Sequence, residues 1–296
     1  METDLQLIKR LVSQIEDNLA DEADIVSLAA SFQVSPWHFQ RLFKSLVGDT
    51  LGNYIRGRRL TRAAHLLLNT QWGIIDIAFH VGFNSHEAFT RSFKSHFQLT
   101  PKQFRQQRPA VRQNEKPLLT VDLYQHFARN MQREPTIIKR PELSIVGFEI
   151  SISSPFLSPD GYCDLLVEPW MNLFNRQGEV ENRLPDTFYG LTVSPSGNFT
   201  EESLNYISAV PVTSLGKLPQ GMVVHTFPEQ WVAMFDVHTV DADTVGKTMD
   251  YIYGYWLPNS GYKRGLGDDY EYFEGTEYFD LSKLKSKYVI PLDVSQ

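Results

Sequence analysis

The chain opens with apolar residues at helical spacing. Their intervals of three and four residues place them on one face of an amphipathic helix. The positions that carry this pattern are Leu5, Ile8, Val12, Ile15 and Leu19. The pattern predicts that the chain begins with a helix whose other face is polar.

The next eighty residues predict a series of short helices around one longer helix. Ser35 and Pro36 suit the N-cap and the first position of a helix, and Gly48 suits its end. A longer helix is predicted from about Leu51 to Leu68, and Ser85 begins another capped helix. This part of the chain is therefore predicted to be all-α.

A shift of fifty residues aligns the chain with itself. A short helix, a turn and a capped longer helix thus occur twice, with the predicted long helix between the copies. The aligned pairs are Ser35 with Ser85, Phe39 with Phe89, Arg41 with Arg91, Phe43 with Phe93, Lys44 with Lys94, and Thr50 with Thr100. A plain helical bundle has no need to repeat outward Arg and Lys at matching positions, so the repeat favours a double helix-turn-helix unit.

After Pro141 the pattern changes to a mixture of strands and helices. Residues 143–150 alternate like a strand, and two helices are predicted at about 165–174 and 245–256. Further strands are predicted near residues 189–193, 206–212, 222–228, 231–238, 270–273 and 287–292. We expect a multidomain protein with an all-α double helix-turn-helix domain over 1–110, a linker over 111–140, and an α+β domain over 141–296.

Charge is divided between these two regions. The whole chain has a formal net charge of -7. Residues 35–108 carry 11 basic against 3 acidic side chains, a net +8, whereas residues 141–296 carry 9 against 22, a net -13. A basic module suits phosphates, and an acidic module favours cationic ligands.

Composition narrows the class of protein further. Cys163 is the only cysteine, which excludes an internal disulfide and a multi-cysteine zinc site. No apolar run reaches the roughly 20 residues of a membrane span, and the N-terminus lacks the features of a secretory signal. We expect a cytoplasmic protein.

The outward faces of the two capped helices carry side chains that read DNA bases. Arg binds guanine with two hydrogen bonds, Gln does the same for adenine, and an aromatic ring contacts thymine methyl groups. The first copy presents Trp37, Gln40, Arg41 and Lys44, and the second presents His86, Glu87, Thr90, Arg91 and Lys94. The long helix is predicted to turn Arg56, Arg58, Arg59 and Arg62 largely outward. For any single residue, a merely solvated charge is the alternative.

Residues 24–106 resemble the DNA-binding domain of the AraC/XylS family, in particular its stress and multidrug-resistance activators. The motifs are SPWHFQRLFK from Ser35, YIRGRRL from Tyr54, DIAFHVGFNS from Asp76 and FTRSFKSHFQLTP from Phe89. The resemblance implies seven helices, two reading heads, and binding of a monomer to adjacent major-groove segments of one duplex. It implies base contacts by Trp37, Gln40 and Arg41 in the first head and by His86, Glu87, Thr90 and Arg91 in the second, where relatives commonly have Gln for His86 and Glu87. As a working hypothesis, the protein activates transcription on promoter DNA and contacts RNA polymerase.

The region after Pro141 resembles the GyrI-like effector-binding domain. The resemblance rests on the opening strand, YGL from Tyr189, NYISAVPV from Asn205, WLPNSGY from Trp256, YEYF from Tyr270 and YVIPL from Tyr288. It implies a pseudo-symmetric α+β fold with a ligand cleft, which Glu271 faces; Phe273 stands where relatives commonly have Tyr.

An organic cation is the ligand that this chemistry suits. Aromatic rings offer cation–π attraction, and one carboxylate supplies the opposite charge. The candidate ligand residues are Glu271, Trp256, Tyr272, Trp170 and Tyr206. The alternative is that the aromatic residues are core and Glu271 is a surface residue. We expect a small amphipathic or cationic effector.

Two functions other than effector binding also suit the C-terminal domain. In the first, the domain hydrolyses small electrophiles with Glu271 as general base and Tyr272 or Trp256 shaping the site. No G-x-S-x-G, H-E-x-x-H or phosphate-loop motif accompanies Glu271, so no enzyme activity and no cofactor are predicted. In the second, the acidic domain binds a protein such as gyrase. No metal site is predicted, because His80, His86 and His96 are not three or four residues apart.

Overall fold

The structure is a computed structural model, and it describes residues 4–20, 25–32, 35–109, 115–153, 162–193, 203–238, 242–275 and 285–294. The chain forms two compact units. Unit 1 consists of Met1–Gln125 and Met249–Ser260, and unit 2 consists of His126–Thr248 and Gly261–Gln296. The predicted combination of an all-α region and an α+β region is confirmed.

The N-terminal part of unit 1 consists of short helices around one long helix, as the apolar spacing predicts. The described helices are α1 (Asp4–Asp17), α2 (Ile25–Ser31), α3 (Pro36–Val47), α4 (Leu51–Asn69), α5 (Ile74–His80), α6 (His86–Phe97), α7 (Pro101–Gln107) and α8 (Val121–Gln125).

The fifty-residue repeat appears in the packing of α3 and α6. Phe39 and Phe43 of α3 are fully buried, and so are their counterparts Phe89 and Phe93 of α6. In the second copy, these rings join a core with residues of α4, α5 and α7. Each helix therefore buries one side and leaves the other available.

The turns after the two helices also match. Gly48 (φ 82°) and Gln98 (φ 60°) both adopt the left-handed conformation that ends a helix. Two threonines then cap the next helices: Thr50 Oγ1 accepts from Asn53 N at 3.2 Å, and Thr100 Oγ1 accepts from the backbone of α7. The repeat thus extends to the caps as well as the core.

The structure corrects the prediction for two arginines of α4. Arg58 donates to both carboxylate oxygens of Glu16, at 2.8 and 3.0 Å, and to the carbonyl of Lys116 at 2.9 Å. Arg59 donates to the carbonyls of Leu19 and Gly82, each at 2.7 Å. Both side chains hold neighbouring segments of unit 1 together, because a guanidinium has enough donors to satisfy several free acceptors.

Unit 2 is built on an antiparallel sheet. Its strands are β1 (Thr136–Arg140), β2 (Leu143–Ser153), β3 (Thr187–Val193), β4 (Ser203–Val212), β5 (Val223–Phe227), β6 (Gln230–Val237), β7 (Lys263–Arg264), β8 (Tyr270–Glu274) and β9 (Lys285–Asp293). The order is β1-β6-β9-β8-β3-β4-β2-β5, and β7 pairs with β9. All seven predicted strands are present, and β1 and β7 are two strands that the sequence pattern did not predict.

Two helical segments interrupt the strands. The first is α9 (Tyr162–Arg176), and the second is α10 (Ala242–Tyr251), which continues into a π-helical turn (Ile252–Trp256) and α11 (Leu257–Ser260). The end of α10, the π-helical turn and α11 are the Met249–Ser260 part of unit 1.

The two faces of the sheet have separate cores. Alternation along each strand sends neighbouring residues to opposite faces. One core contains Tyr189, Phe227 and Tyr270, and the other contains Phe188 and Phe273 with residues of α9. The second face, which α9 covers, is the one that Glu271 shares with Phe273.

The segment between the two helix-turn-helix copies and the sheet holds more regular structure than a linker prediction suggests. Residues Val121–Gln125 form α8, and a π-helical turn (His126–Asn130) follows it. Residues 136–140 form β1, which pairs with β6 along its length. Since β1 lies at the end of the strand order, its short and polar sequence carries little of the alternation that identifies a strand.

Candidate DNA-binding and effector sites

Helix α3 presents the four side chains predicted for the first reading head. Pro36 at its start and Gly48 after its end set its length, and burial of Phe39 and Phe43 fixes which side is free. Trp37 is 65% exposed, and Gln40, Arg41 and Lys44 are exposed as well.

Arg41 is held over the ring of Trp37. Its Cζ lies 4.6 Å from the ring centroid, within the range of a cation–π contact. An exposed tryptophan that stacks on an arginine orients the guanidinium without using its hydrogen-bond donors. Those donors remain suited to a base edge or a phosphate.

Helix α6 presents the second set. Ser85 caps it by accepting from Ala88 N at 3.1 Å, so His86 begins the helix. Glu87, Arg91 and Lys94 are exposed, whereas His86 and Thr90 are partly buried. His86 Nε2 and Thr90 Oγ1 lie 3.4 Å apart, one helical turn from each other.

Glu87 has a local electrostatic role at the start of α6. A hydrogen bond from its own backbone N–H, followed by one from Ser85, lowers the pKa of the Glu87 carboxyl. It is therefore ionised at neutral pH, beside side chains that suit phosphate contacts. A fixed negative charge there opposes DNA binding through nonspecific electrostatics.

Arg56 of α4, which we also predict to contact DNA, is exposed. Its Nη2 donates to Asn53 Oδ1 at 3.3 Å. Of the four arginines predicted to face outward from α4, Arg56 and Arg62 are exposed, and the other two are the ones that bind Glu16, Leu19 and Gly82.

Glu271 lies in a crevice of unit 2. The lining residues are Val237, Val245, Thr248, Glu271, Ser286, Lys287 and Tyr288. The residue as a whole keeps some exposure, but burial raises the pKa of its carboxyl to about 7. A carboxylate that is costly to ionise in this place is poised to accept a cationic partner.

The crevice is narrow. Its volume of about 10 Å³ is close to the minimum that one water molecule requires. Val245 and Thr248 of α10 form part of its wall, so an organic ligand would enter only if α10 or the neighbouring strands moved apart.

Trp170 and Tyr206 lie together on the same face of the sheet as Glu271. Trp170 Nε1 donates to Tyr206 Oη at 3.1 Å, and the Trp170 ring meets Phe273 edge-on at 5.4 Å between centroids. Tyr206 is 2% exposed and Trp170 is partly buried. Both belong to the core, and neither is among the residues that line the Glu271 crevice.

Tyr272 and Trp256 lie elsewhere. Tyr272 is directly after Glu271 in β8 and therefore faces the opposite side of the sheet, where its ring meets Tyr189 at 5.5 Å. Trp256 is 7% exposed, ends the π-helical turn, and belongs to unit 1. The structure thus brings Glu271, Trp170 and Tyr206 to one face and separates the other two predicted ligand residues from it.

Sequence reasoning missed the polar residues that line the Glu271 crevice. Tyr288 pairs with Glu271 in the β8–β9 register, and its hydroxyl donates to Asp269 Oδ2 at 3.3 Å. Ser286 donates to the carbonyl of Val237 at 2.7 Å. The closing strand pattern was visible in the sequence, but its register against β8 was not, and register decides which residues meet.

Family models match both parts of the chain. Residues 28–107 match a helix-turn-helix domain, and residues 133–293 match the GyrI-like small molecule binding domain.

Among the described residues, none of the helices combines the length and apolar character that crossing a membrane requires.

Curated relatives match over the helix-turn-helix region. The chain is 42% identical over 100 residues to the probable transcription factor PqrA of Proteus vulgaris, covering 34% of this chain and 80% of PqrA. It is 39% identical over 99 residues to the transcriptional regulator Rob of Salmonella typhimurium, covering 33% of this chain and 34% of Rob. The match thus spans about one third of Rob.

One of the solved structures that the chain resembles covers just over half of the chain. The structure of SAV2435 bound to tetraphenylphosphonium aligns with 54% of this chain and 94% of its own, at 11% identity and a TM-score of 0.42.

Proposed function

This chain belongs to the family of GyrI-like small molecule binding domains and carries an AraC-type DNA-binding domain, and we propose that it is a transcription activator that binds an organic cation beside Glu271. It is a DNA-binding transcription regulator. The proposal adds the type of effector, the direction of control, binding of promoter DNA as a monomer, and contact with RNA polymerase. It keeps the division into a DNA-binding region over 1–110, a connection over 111–140 and an effector region over 141–296.

The exposed sides of α3 and α6 are the observation that supports the DNA contacts. Each helix buries two phenylalanines at matching positions and presents basic side chains on its other side. We assign DNA contacts to nine residues of these two helices and to Arg56 of α4: Trp37, Gln40, Arg41, Lys44, Arg56, His86, Glu87, Thr90, Arg91 and Lys94.

The Glu271 crevice supports the choice of effector. Burial raises the pKa of the Glu271 carboxyl to about 7, because its charged form lacks water. An organic cation would stabilise that charged form without bringing water into the crevice. Apolar walls of Val237 and Val245 suit the organic part of such a ligand. We assign ligand contacts first to Glu271 and then to Trp170 and Tyr206, and we assign no catalytic role to the crevice.

The DNA proposal is tested by titrating a labelled duplex with the full chain. The duplex is the tightest binder selected from random sequences with the unaltered protein. Arg41→Ala and Arg91→Ala should each weaken binding about 10- to 100-fold, and affinity should fall steeply as salt rises from about 50 to about 200 mM. Arg129→Ala, an exposed arginine of unit 2, is the matched control. Equal affinities for all four proteins, or a flat salt response, would contradict the proposal.

The effector proposal is tested by tryptophan quenching with tetraphenylphosphonium, whose charge does not depend on pH. Tetraphenylborate, which has a similar shape and the opposite charge, is the matched ligand. We expect quenching by the cation only, and its loss in Glu271→Gln. Glu274→Gln makes the same charge change on an exposed residue of β8 and should retain quenching. Binding of both ions, or binding that survives Glu271→Gln, would exclude this site.

A further inference from the structure

Lys116 is a buried cation within unit 1. The residue is 4% exposed, and burial is the main cause that lowers the pKa of its amine. Its Nζ lies 2.6 Å from Asp49 Oδ2 and donates to the carbonyl of Gly254 at 2.5 Å. The amine also lies 3.9 Å from the ring centroid of Tyr255. A buried charge with this many partners fixes the positions of the groups around it. If one partner is lost, the charge is left uncompensated in a low-dielectric interior, which destabilises the fold.

The backbone around Lys116 is held as closely as its side chain. Its N–H donates to Thr61 Oγ1 of α4 at 2.8 Å, and Arg58 donates to its carbonyl. Its stem packs on α4 where the helix has Gly57; a Cβ at that position would come 2.8 Å from Lys116 Cβ. Thr61, Arg58 and the space at Gly57 therefore fix the position of Lys116 on α4.

The π-helical turn meets the same segment within unit 1. Tyr255 Oη donates to the carbonyl of Pro117 at 2.9 Å, and a Cβ on Gly254 would come 2.3 Å from Pro117 Cδ. These contacts leave no room for the turn to slide along the segment. The position of the Lys116 amine thus depends on the position of the Gly254 carbonyl, to which it donates.

From Lys116, polar contacts continue to Arg56, a proposed DNA contact. Asp49 follows α3, and its Oδ1 accepts from Thr50 N at 2.7 Å and from Asn53 Nδ2 at 3.3 Å. Asn53 Oδ1 in turn accepts from Arg56 Nη2 at 3.3 Å. One unbroken series of contacts therefore joins Gly254, Lys116, Asp49, Asn53 and Arg56.

We infer that Lys116 is a positioning residue for DNA binding, which links the π-helical turn Ile252–Trp256 through Asp49 and Asn53 to the phosphate-contacting side chain of Arg56. The inference rests on the proposed role of Arg56. The turn lies within the residues that match the GyrI-like model, 133–293, yet it belongs to unit 1. Part of the effector-binding sequence thus completes the DNA-binding unit.

Helix α10 connects the Glu271 crevice to the π-helical turn along the chain. Helix α10 carries Val245 and Thr248 of the Glu271 crevice and passes directly into the turn that carries Gly254. These two crevice residues and Gly254 therefore lie on one continuous helical segment.

The test is a double-mutant cycle on the full chain, read as affinity for the selected duplex. Lys116→Met should weaken binding about three- to tenfold, the size of one or two lost hydrogen bonds. In an Arg56→Ala background, the same change should cost less than about twofold, because the side chain that it aligns is gone. Lys116→Met and Arg56→Ala should each reduce the slope of affinity against salt by about one phosphate contact. Since Lys116 is buried, a direct contact between its amine and DNA does not explain such a result.

Two further variants guard against misfolding and charge effects. Asp49→Asn combined with Lys116→Met removes both buried charges, a change that proteins often tolerate, and should reproduce the loss in affinity. Lys139→Met removes a lysine from an exposed ion pair of unit 2 with Glu229 and should leave binding unchanged.

The outcomes separate the inference from the proposed function. Equal losses with and without Arg56, or no loss in the Asp49→Asn/Lys116→Met protein, would overturn the inference while leaving DNA binding in place. If Arg56→Ala alone has no effect, both the role of Arg56 and the inference fail. A flat salt response of the unaltered chain would instead reject phosphate-driven DNA binding itself.

Discussion

Gly190 stands directly opposite Glu271 in the pairing of β3 with β8. A Cβ at position 190 would come 2.3 Å from Tyr206 Oη and 3.0 Å from Trp170 Cζ2. The glycine therefore allows two aromatic side chains to approach the strand beside the candidate effector carboxylate. The two side chains that occupy this space also bind each other, because the hydroxyl of Tyr206 accepts the Trp170 hydrogen bond.

Gly190→Ala is predicted to destabilise the protein by about 1–3 kcal/mol, as overpacking of a buried site does. Tyr206 is almost fully buried, so we expect the added Cβ to break the hydrogen bond from Trp170 or to shift the strand. The free energy of unfolding from urea titration, together with tryptophan fluorescence, measures both effects. Gly178→Ala is the control, because nothing lies within 4 Å of its Cβ position. Equal stabilities of the two variants would show that position 190 is not tightly packed.

Binding of a permanently charged cation should depend on pH through Glu271. Burial raises the pKa of this carboxyl to about 7, so the residue is mostly neutral below that pH and charged above it. Affinity for tetraphenylphosphonium should therefore be constant at alkaline pH and fall about tenfold per unit as the pH drops below about 7. Calorimetric titration between about pH 5 and 9 measures this dependence. Glu271→Gln should bind weakly with no such slope; the same slope in that variant would assign it to another group.

The same raised pKa has a consequence for stability. An unfolded glutamate ionises near pH 4.5, whereas the folded protein holds Glu271 neutral until about pH 7. The cost of ionising the buried carboxyl is thus absent below pH 4.5, grows between the two values, and is complete above about pH 7. Glu271→Gln should therefore raise the free energy of unfolding at pH 8, by up to about 3 kcal/mol, and change it little at pH 4. Urea titrations at both pH values test this, and stabilisation that is equal at both would contradict a titrating origin.

Arg58 and Arg62 form a matched pair for testing which arginines of α4 support the fold. Arg58 binds Glu16 and the Lys116 carbonyl, with 18% of its side chain exposed, whereas Arg62 is exposed. Arg58→Ala should lower the free energy of unfolding by about 1–3 kcal/mol because it leaves partly buried acceptors unpaired. Arg62→Ala should change it by less than about 0.5 kcal/mol. Urea denaturation measures both, and a larger loss for Arg62 would reverse the assignment.

Local patterns in the sequence predict local structure well here. The starts of α3 and α6, the burial of their phenylalanines and the turn at Gly48 all follow from residues within a few positions of one another. Spacing of this kind is physically determined by the helix itself, so the exposed faces of both predicted reading heads could be anticipated from sequence.

What sequence could not predict depends on contacts between distant segments. Arg58 and Arg62 look alike in the sequence, and only the arrival of Glu16 beside one of them distinguishes their roles. Likewise Lys116 has no local pattern, because its partners Asp49 and Gly254 lie far along the chain in both directions. The misplacement of Tyr272 has another cause: adjacent residues of a strand point to opposite faces, so Tyr272 cannot share the face of Glu271.

Glu87→Gln is predicted to strengthen binding to DNA that lacks the selected site, by about two- to fivefold at low salt. The Glu87 carboxylate is exposed at the start of α6, and hydrogen bonds from its own N–H and from Ser85 lower its pKa, so it stays charged at neutral pH. Removing a negative charge beside Arg91 reduces repulsion from phosphates, and the gain should shrink as salt rises because screening weakens that repulsion. Anisotropy titrations of a nonspecific duplex at several salt concentrations measure it. Glu142→Gln makes the same change in net charge on an exposed residue of unit 2 and should leave nonspecific affinity nearly unchanged. A similar gain in both variants would mean that overall charge, rather than the position of Glu87 on α6, sets the repulsion.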